Sequence, residues 1–389
     1  MNNEASYAAY TDEQGSFRYG GYLKEFMAGQ QKYPTIVAEF GLATGMGNAH
    51  ENPDGYNHGG LTEEAQGTGI VRMMKAMKNE GYAGGIIFEW NDEWAKKTWI
   101  TEPYIIPYER NPLWHNAVDP EQNYGINAME SDGSRSLPYA IEDEGIISKM
   151  SLSADETYLD IEVDLDRIID FSKEKLIIGL DTYDRSQGNM KYGPEITTGA
   201  ATGLEYVIEI TGMDQGRLLV QPGYNGTTGN HASVYSPDGI FETMSMLTNK
   251  ETITKDGTKI EAVVQDLSQL SFGSLEDNSY NQVQVSGKTV SIRIPWTRIN
   301  VTDPSMMRVV DDPRNILSPT TDELNTVITE GVLSSGVLVN KDSSQTIASI
   351  GMANRNAFIW EKWDVPSYKE RIKDSYATIS QYFKELDSK

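Results

Sequence analysis

Two apolar runs near the start of the chain each end in a carboxylate. The first run, residues 35–38, lies between Pro34 and Gly41 and leads directly into Glu39. The flanking proline and glycine favour a buried strand over a helix. The second run lies within residues 82–94, where apolar positions again give way to acids and aromatics. We therefore predict two strands, each with polar side chains at its carboxyl end.

The segment between these runs, residues 61–81, has the spacing of an amphipathic helix. Two glutamates fall in its first turn, and four apolar residues recur at intervals of one, three or four: Ile70, Met73, Met74 and Met77. A strand, a helix and a strand in that order predict a βαβ crossover, whose strands are parallel and end at the same edge of the sheet. A further helix is predicted over residues 20–31.

Beyond a connector rich in Pro and Asn at residues 111–130, short apolar or alternating runs replace the helical period. Gly, Asn and Asp separate these runs, a pattern typical of an antiparallel β-sandwich. Trp296 follows Ile292 and Ile294 in alternation, so we place it in the core, with a ligand-binding face as the alternative. The predicted strands cover residues 146–151, 158–164, 175–181, 204–210, 217–221, 260–265, 282–285 and 289–295.

The end of the chain is predicted to form a strand near residue 358 and a helix from about Ser367. An apolar face at helical spacing indicates that this helix packs back on a domain. The residues of that face are Ile372, Tyr376, Ile379, Tyr382 and Phe383.

Charge and composition exclude several classes of partner and site. The chain of 389 residues contains 57 acids and 33 bases, a formal net charge of -24, so nucleic acid and anionic membranes are poor partners. It has no cysteine, which excludes disulfides and thiolate metal sites. No apolar run reaches the length of a membrane-spanning helix.

The strand-end strings resemble a known family of enzymes. The string P-T-I-V-A-E-F-G at 34–41 and G-G-I-I-F-E-W-N-D-E-W at 84–94 are similar to the last two strands of the (β/α)8 barrel in glycoside hydrolases of the family 2 type and their clan. The resemblance implies that Glu39 is the nucleophile of a retaining mechanism. It also implies a sugar site lined by the second cluster. With the nearby aromatics, the candidate substrate-binding residues are Trp90, Asp92, Glu93, Trp94 and Trp99.

Each of these residues also has a purely structural interpretation. Glu39 would then be an ion-paired strand-end carboxylate in a barrel without catalytic activity. The acids at 92–93 would cap turns or face solvent, and the tryptophans would be buried in a core. Tryptophan faces also stack on sugar rings, which keeps the functional interpretation open.

A retaining glycosidase needs a second carboxyl group about 5 Å from its nucleophile. In the family that the chain resembles, this acid/base residue ends strand four, upstream of anything present here. Only about a quarter of a barrel is recognisable, since a full barrel needs about 250 residues. We therefore expect the C-terminal part of a longer enzyme, inactive by itself, with a missing N-terminal barrel segment and an oligo- or polysaccharide as its partners.

The sandwich region resembles family 9 carbohydrate-binding modules and DOMON-type ligand-binding domains. The resemblance rests on the alternation at 158–164, the Asp-rich loop at 179–188 and the I-P-W string at 294–296. Asp181 and Asp184 in that loop are candidate ligands of a structural Ca²⁺, the one cofactor considered, with turn formation as the alternative.

These observations predict an α+β multidomain chain. Residues 1–115 form the last two βα units of a partial (β/α)8 barrel, 120–350 an antiparallel β-sandwich, and 351–389 a C-terminal strand and helix. The expected function is the C-terminal portion of a retaining glycoside hydrolase, for which an extracellular or cell-surface location is favoured. The alternative is a non-catalytic carbohydrate-binding or structural protein.

Overall fold

The computed structural model describes most of the chain. The ranges are 7, 9–30, 32–47, 59–92, 110, 113, 115, 122–133, 135–193, 196–197, 202–225, 239–255, 257–276, 280–311, 325–351 and 356–388. Three α-helices fall within them: α1 Arg18–Gly29, α2 Glu63–Asn79 and α3 Ser375–Asp387. None of the helices in these ranges has the length and apolar character needed to cross a membrane.

The β-strands account for most of the regular structure. In the first 142 residues they are β1 Thr11–Asp12, β2 Gly15–Ser16, β3 Ile36–Phe40, β4 Gly84–Ile87, β5 Asn127–Ser131 and β6 Tyr139–Glu142. The next are β7 Ile147–Ala154, β8 Tyr158–Leu165, β9 Glu174–Asp181, β10 Lys191–Tyr192, β11 Ile196–Thr197, β12 Tyr206–Ile210, β13 Gly216–Val220, β14 Glu242–Thr243, β15 Ser245–Asn249, β16 Thr252–Ile253 and β17 Lys259–Ile260. The last are β18 Val263–Asp266, β19 Val283–Ser286, β20 Thr289–Pro295, β21 Val301–Asp303, β22 Arg308–Val310, β23 Thr326–Ile328, β24 Leu333–Asn340, β25 Thr346–Gly351 and β26 Tyr368–Ile372.

Strands β3 and β4 are parallel and are joined through α2, as the sequence pattern predicts. We call β3, α2 and β4 the βαβ unit. The Thr62 hydroxyl accepts a hydrogen bond from Ala65 N at 3.1 Å and so caps α2. The carboxylates of Glu63 and Glu64 lie in the first turn, where the positive end of the helix dipole stabilises negative charge. The helix therefore begins where its capping sequence indicates.

The prediction that β3 is buried is wrong for most of the strand. Phe40 is buried against α1 and α2, but Ile36 is 56% exposed and Glu39 is exposed. On β4, Ile86 is 58% exposed. The helices cover only one face of this two-stranded sheet, and no described residue forms a layer on the other face. Parallel sheets usually have both faces covered.

Two antiparallel sheets enclose the largest hydrophobic core, and we call them the two-sheet domain. One sheet has the strand order β19-β20-β8-β7-β6, and the other has the order β14-β13-β12-β9-β24-β25. Alternate residues of β8, including Leu159 and Ile161, meet Ile178 and Ile208 of the other sheet in this core. The chain is therefore mostly β-sheet with helices at both ends, which agrees with the coarse α+β class.

Trp296 lies in this core and is 1% exposed. Its ring centroid is 4.6 Å from that of Trp360, and its indole N–H donates to Asp155 O at 3.1 Å. The predicted core position is confirmed. Phe358 and Trp363 belong to the same core, although both follow residue 350 in the segment that the sequence pattern places outside the sandwich.

After the two-sheet domain the chain returns to the βαβ unit. Strand β26 pairs with β5, and α3 packs against α2. A Cβ at Gly67 of α2 would lie only 2.9 Å from the Ser375 backbone, so glycine permits this close approach. Ile379 of α3 joins Ile70 in the small core beside β3. The two-sheet domain is thus inserted in the sequence between β4 and the helix that packs on α2.

The prediction that the last helix begins near Ser367 is wrong. Residues 368–372 form β26, and the helix begins at Ser375. Arg371 donates to both Glu63 of α2 and Glu130 of β5, and the backbone N–H of Asp374 donates to Glu63 at 2.7 Å. These contacts hold the segment extended between two elements, which overrides its local helical spacing.

Candidate functional site

Glu39 lies at the carboxyl end of β3, next to a register irregularity. Val37 pairs with Gly85, but Phe40 pairs with Ile87, so β3 has one residue more than β4 over this interval. Val37 and Phe40 consequently both pack against the helices, and Glu39 is exposed instead. Bulges of this kind re-aim side chains and are common beside active sites. Among the described contacts, Glu39 has no hydrogen-bond or ion-pair partner.

The end of β4 lies directly beside the end of β3. Phe88 N donates to Phe40 O at 2.8 Å, which extends the parallel pairing past Ile87. A Cβ at Gly41 would overlap the carbonyl oxygen of Phe88, so only glycine fits at this point. The glycine after Glu39 therefore allows the two strand ends to approach, and it brings residues 88–92 to the edge that carries Glu39.

Trp90 is the predicted sugar-binding residue with the most open surface in the described part of the chain. Its side chain is 53% exposed, and its ring makes an edge contact with Tyr376 of α3 at 6.3 Å between centroids. Its backbone carbonyl accepts a hydrogen bond from Asn127 N at 2.8 Å. The backbone is thus fixed while much of the indole remains available to a ligand.

Asp92 is held by the backbone of the segment that follows. Its Oδ1 accepts a hydrogen bond from Gly125 N at 2.6 Å, which fixes the start of β5 against the end of β4. One carboxylate oxygen therefore has a structural role, as the turn-capping alternative predicts. Glu93, Trp94 and Trp99, the other predicted substrate-binding residues, lie outside the described residues.

A buried lysine that the sequence pattern does not indicate lies beside this edge. Lys373 is 1% exposed, and its Nζ donates to Thr44 Oγ1 and Asn123 O, both at 3.1 Å. Thr44 also contacts the Tyr280 hydroxyl at 3.3 Å. These contacts link the loop after β3 to the segment after β26 and to the two-sheet domain. Lys373 follows a polar strand with no apolar pattern, so local sequence gives no signal for its burial.

Asp181 and Asp184, the candidate Ca²⁺ ligands, have different surroundings. Asp181 is buried, and Arg185 forms an ion pair with one of its oxygens. Asp184 Oδ1 accepts hydrogen bonds from the Ser186 N–H and hydroxyl at 2.8 Å, the turn geometry of the alternative interpretation. Within the described ranges, no group of three or more His, Cys, Asp or Glu side chains is placed to hold a metal ion. The calcium site stays a prediction.

Glu205 lies beside Asp181 and was not singled out from the sequence. It is fully buried, and its Oε2 accepts hydrogen bonds from the backbone N–H groups of Thr182 and Tyr183. Burial raises the pKa of Glu205 well above its usual value, and the negative charge of Asp181 raises it further. The pKa of Asp181 is also raised, chiefly by burial. One proton shared by this pair would relieve the repulsion between the two carboxylates.

A polar cavity of about 170 Å³ lies between the segment after β4 and the two-sheet domain. We call it the interdomain cavity, and the residues that line it include Asp92, His115, Glu130, Asp155, Asp160, Tyr280 and Arg293. Burial raises the pKa of Asp155 to about 6 and that of Asp160 to about 7. Burial lowers the pKa of His115 to about 3, so its imidazole is neutral at pH 7. Perturbed groups around a cavity are typical of functional sites.

Comparisons with family models, curated proteins and solved structures give no match to this chain.

Proposed function

We propose that this chain carries the nucleophile half of a carbohydrate-active site of the retaining glycoside hydrolase type. The observation that carries the proposal is the position of Glu39: an exposed carboxylate at the carboxyl end of a parallel strand, next to the strand end that leads into the half-exposed Trp90. Active sites of (β/α)8 barrels lie at the carboxyl ends of the parallel strands. The resemblance of residues 34–41 and 84–94 to such a barrel supports the same assignment.

In the proposed mechanism, Glu39 attacks the anomeric carbon of the sugar and forms a covalent glycosyl intermediate. Trp90 stacks against the sugar ring and holds it over the strand ends. A second carboxyl group about 5 Å from Glu39 donates a proton to the leaving oxygen and then activates the water that releases the sugar. We propose that this acid/base belongs to further parallel strands that pair with β3 or β4 and cover their open face.

A covalent probe tests the nucleophile. Glycosyl fluorides that carry a 2-deoxy-2-fluoro group need little acid assistance, because fluoride is a good leaving group. We expect intact-mass spectrometry to show addition of one glycosyl group, mapped to Glu39 by peptide sequencing. Glu39→Gln should abolish the addition, whereas Glu25→Gln, which changes an exposed carboxylate of α1, should not. Attachment to another residue would exclude Glu39 as the nucleophile.

A second candidate is a non-catalytic carbohydrate-binding protein. It is favoured by the interdomain cavity, whose polar and aromatic lining needs no contribution from Glu39. This candidate predicts sugar binding without covalent labelling, and binding that is unchanged by Glu39→Gln. The same set of proteins therefore separates the two candidates.

A further inference from the structure

The interdomain cavity has polar groups that the fold itself leaves without partners. In the described part of the chain, the carboxyl group of Asp160 has neither a hydrogen bond nor an ion pair, although Asp160 lines the cavity from β8. The Nδ1 atom of His115 is shielded from solvent and also has no hydrogen-bond partner there. Buried polar groups in native proteins nearly always have a partner in protein, water or ligand. A bound polar molecule would satisfy both groups.

Aromatic rings and one cation complete the lining. His115 stacks on Tyr158 at 5.6 Å between centroids and makes an edge contact with Tyr280 at 5.2 Å. The Arg293 guanidinium lies 4.8 Å above the Tyr158 ring and donates to two backbone carbonyls, those of Asn281 and Leu275. Hydrogen bonds and stacking thus fix these side chains around the space before any ligand enters.

The charge of the lining selects against anions. Among the described residues that line the cavity, Asp92, Glu130, Asp155 and Asp160 contribute carboxyl groups, and Arg293 contributes the single guanidinium. A carboxylate accepts hydrogen bonds from hydroxyl groups, and a protonated carboxyl group also donates one. A volume of about 170 Å³ holds several waters, since a water occupies roughly 30 Å³ of liquid. A single ring with several hydroxyl groups makes a better match than a longer chain.

We propose that the interdomain cavity is a binding subsite for one neutral sugar residue. The choice of a sugar rests on the proposed function, whereas the preference for a neutral, hydroxylated ring comes from the lining. Asp92 connects the two places, because it follows β4 at the edge of Glu39 and also lines the cavity. The inserted two-sheet domain would then form a wall of the sugar site, in addition to any separate binding surface.

The experiment measures binding to the full chain by ligand-observed NMR at pH 8. The probes are the methyl glycosides of glucose, galactose and mannose, with glucuronic acid as the anionic comparison. We expect at least one neutral probe to bind, and glucuronic acid to bind at least tenfold more weakly. Asp160→Leu should abolish binding, because it removes a hydrogen-bonding group and fills the space. Asp164→Asn serves as the control, since Asp164 lies on the same strand but bonds Thr289 at 2.7 Å.

A folding failure is separated from a binding failure by a second variant. Asp160→Asn keeps the side-chain shape and should weaken binding several-fold, because hydrogen bonds to a charged group are stronger than neutral ones. The proposal is overturned if no neutral probe binds, if glucuronic acid binds best, or if binding is unaffected by both Asp160 variants.

These experiments test the cavity proposal and the nucleophile proposal independently. Covalent labelling of Glu39 with no effect of the Asp160 variants on sugar binding would exclude the cavity alone. Loss of binding in the Asp160 variants without labelling of Glu39 would exclude the nucleophile alone.

Discussion

Strands β3 and β9 have similar apolar sequences but different surroundings. The run Ile36-Val-Ala in β3 and the run Leu176-Ile-Ile in β9 both lack polar alternation. In β9, Ile177 and Ile178 face opposite sides of the sheet, and both are fully buried. In β3, Ile36 is 56% exposed. An unbroken apolar run predicts that both faces of the strand are buried, but burial depends on whether other elements of the fold pack on each face.

The two faces of β9 are buried in two different hydrophobic cores. Ile178 faces the main core between the two sheets, and Ile177 faces a smaller core with Leu204 and Val207. The βαβ unit has only its helical side covered by described residues. The difference shows that the two-sheet domain closes its own core, whereas the described residues cover only one face of the βαβ unit.

The largest expected effect comes from the core of the two-sheet domain. Trp296→Ala should lower the free energy of unfolding by about 3 to 5 kcal/mol, because it removes a fully buried indole and leaves a cavity beside Trp360. Chemical denaturation monitored by circular dichroism measures the change. Leu137→Ala is the control, since Leu137 is 90% exposed. Unchanged stability with lost sugar binding would instead identify Trp296 as a ligand platform.

The sequence pattern predicted the strands of the two-sheet domain better than it predicted the ends of the chain. Strand β20 matches its expected limits at 289–295, and β8 extends only one residue past 164, since alternation there coincides with one buried face. The helical spacing of Ile372, Tyr376 and Ile379 predicts a helix from about Ser367, yet residues 368–372 form β26. Its conformation depends on pairing with β5, which is more than 230 residues distant.

In the candidate site, too, some features follow from local sequence and others depend on contacts between distant segments. The positions of Glu39 and Trp90 at neighbouring strand ends follow from local strings and the parallel crossover. The interdomain cavity does not, because Asp92, His115, Asp160 and Arg293 come from separate segments with no shared motif. Burial, which raises the pKa of Asp160, arises only when these segments pack together.

The next largest effect is expected where β26 and α3 contact α2, at the ion pair of Arg371 with Glu63. Arg371→Leu should cost about 3 kcal/mol, because it leaves the buried carboxylate of Glu63 without its guanidinium partner. Loss of the ion pair with Glu130 should cost less, because the Glu130 side chain is more exposed than that of Glu63. Hydrogen exchange should show faster opening of β26 and α3 than of β8. Equal protection of β26, α3 and β8 in the variant would contradict the expectation that β26 and α3 open independently of the two-sheet domain.

A smaller, pH-dependent effect is expected at Asp160. Its pKa is raised from 3.8 to about 7 by burial, so the folded state binds more protons than the unfolded state between about pH 4 and 7. Stability conferred by the protonated carboxyl is therefore present below pH 4 and is lost as the pH rises through 7. Asp160→Asn should therefore gain stability relative to the parent as the pH rises from 4 to 8.

Denaturation curves of both proteins at several pH values test this difference. The comparison between variant and parent cancels His115, whose pKa is lowered by burial, whereas the charge of Asp155 is itself one cause of the raised pKa of Asp160. A constant difference across the range would mean that Asp160 titrates as an exposed carboxyl does.

The smallest expected change in stability lies on the open face of the βαβ unit. Ile36→Ser should alter the free energy of unfolding by less than about 0.5 kcal/mol, because the side chain is already largely in water. The matched change Ile177→Ser in β9 should cost several times more, since it places an unpartnered hydroxyl in a closed core. Analytical ultracentrifugation should also show less self-association of the Ile36 variant, because exposed apolar strands promote pairing between chains. A large loss of stability in Ile36→Ser would mean that this face is covered after all, and the contrast between β3 and β9 would then disappear.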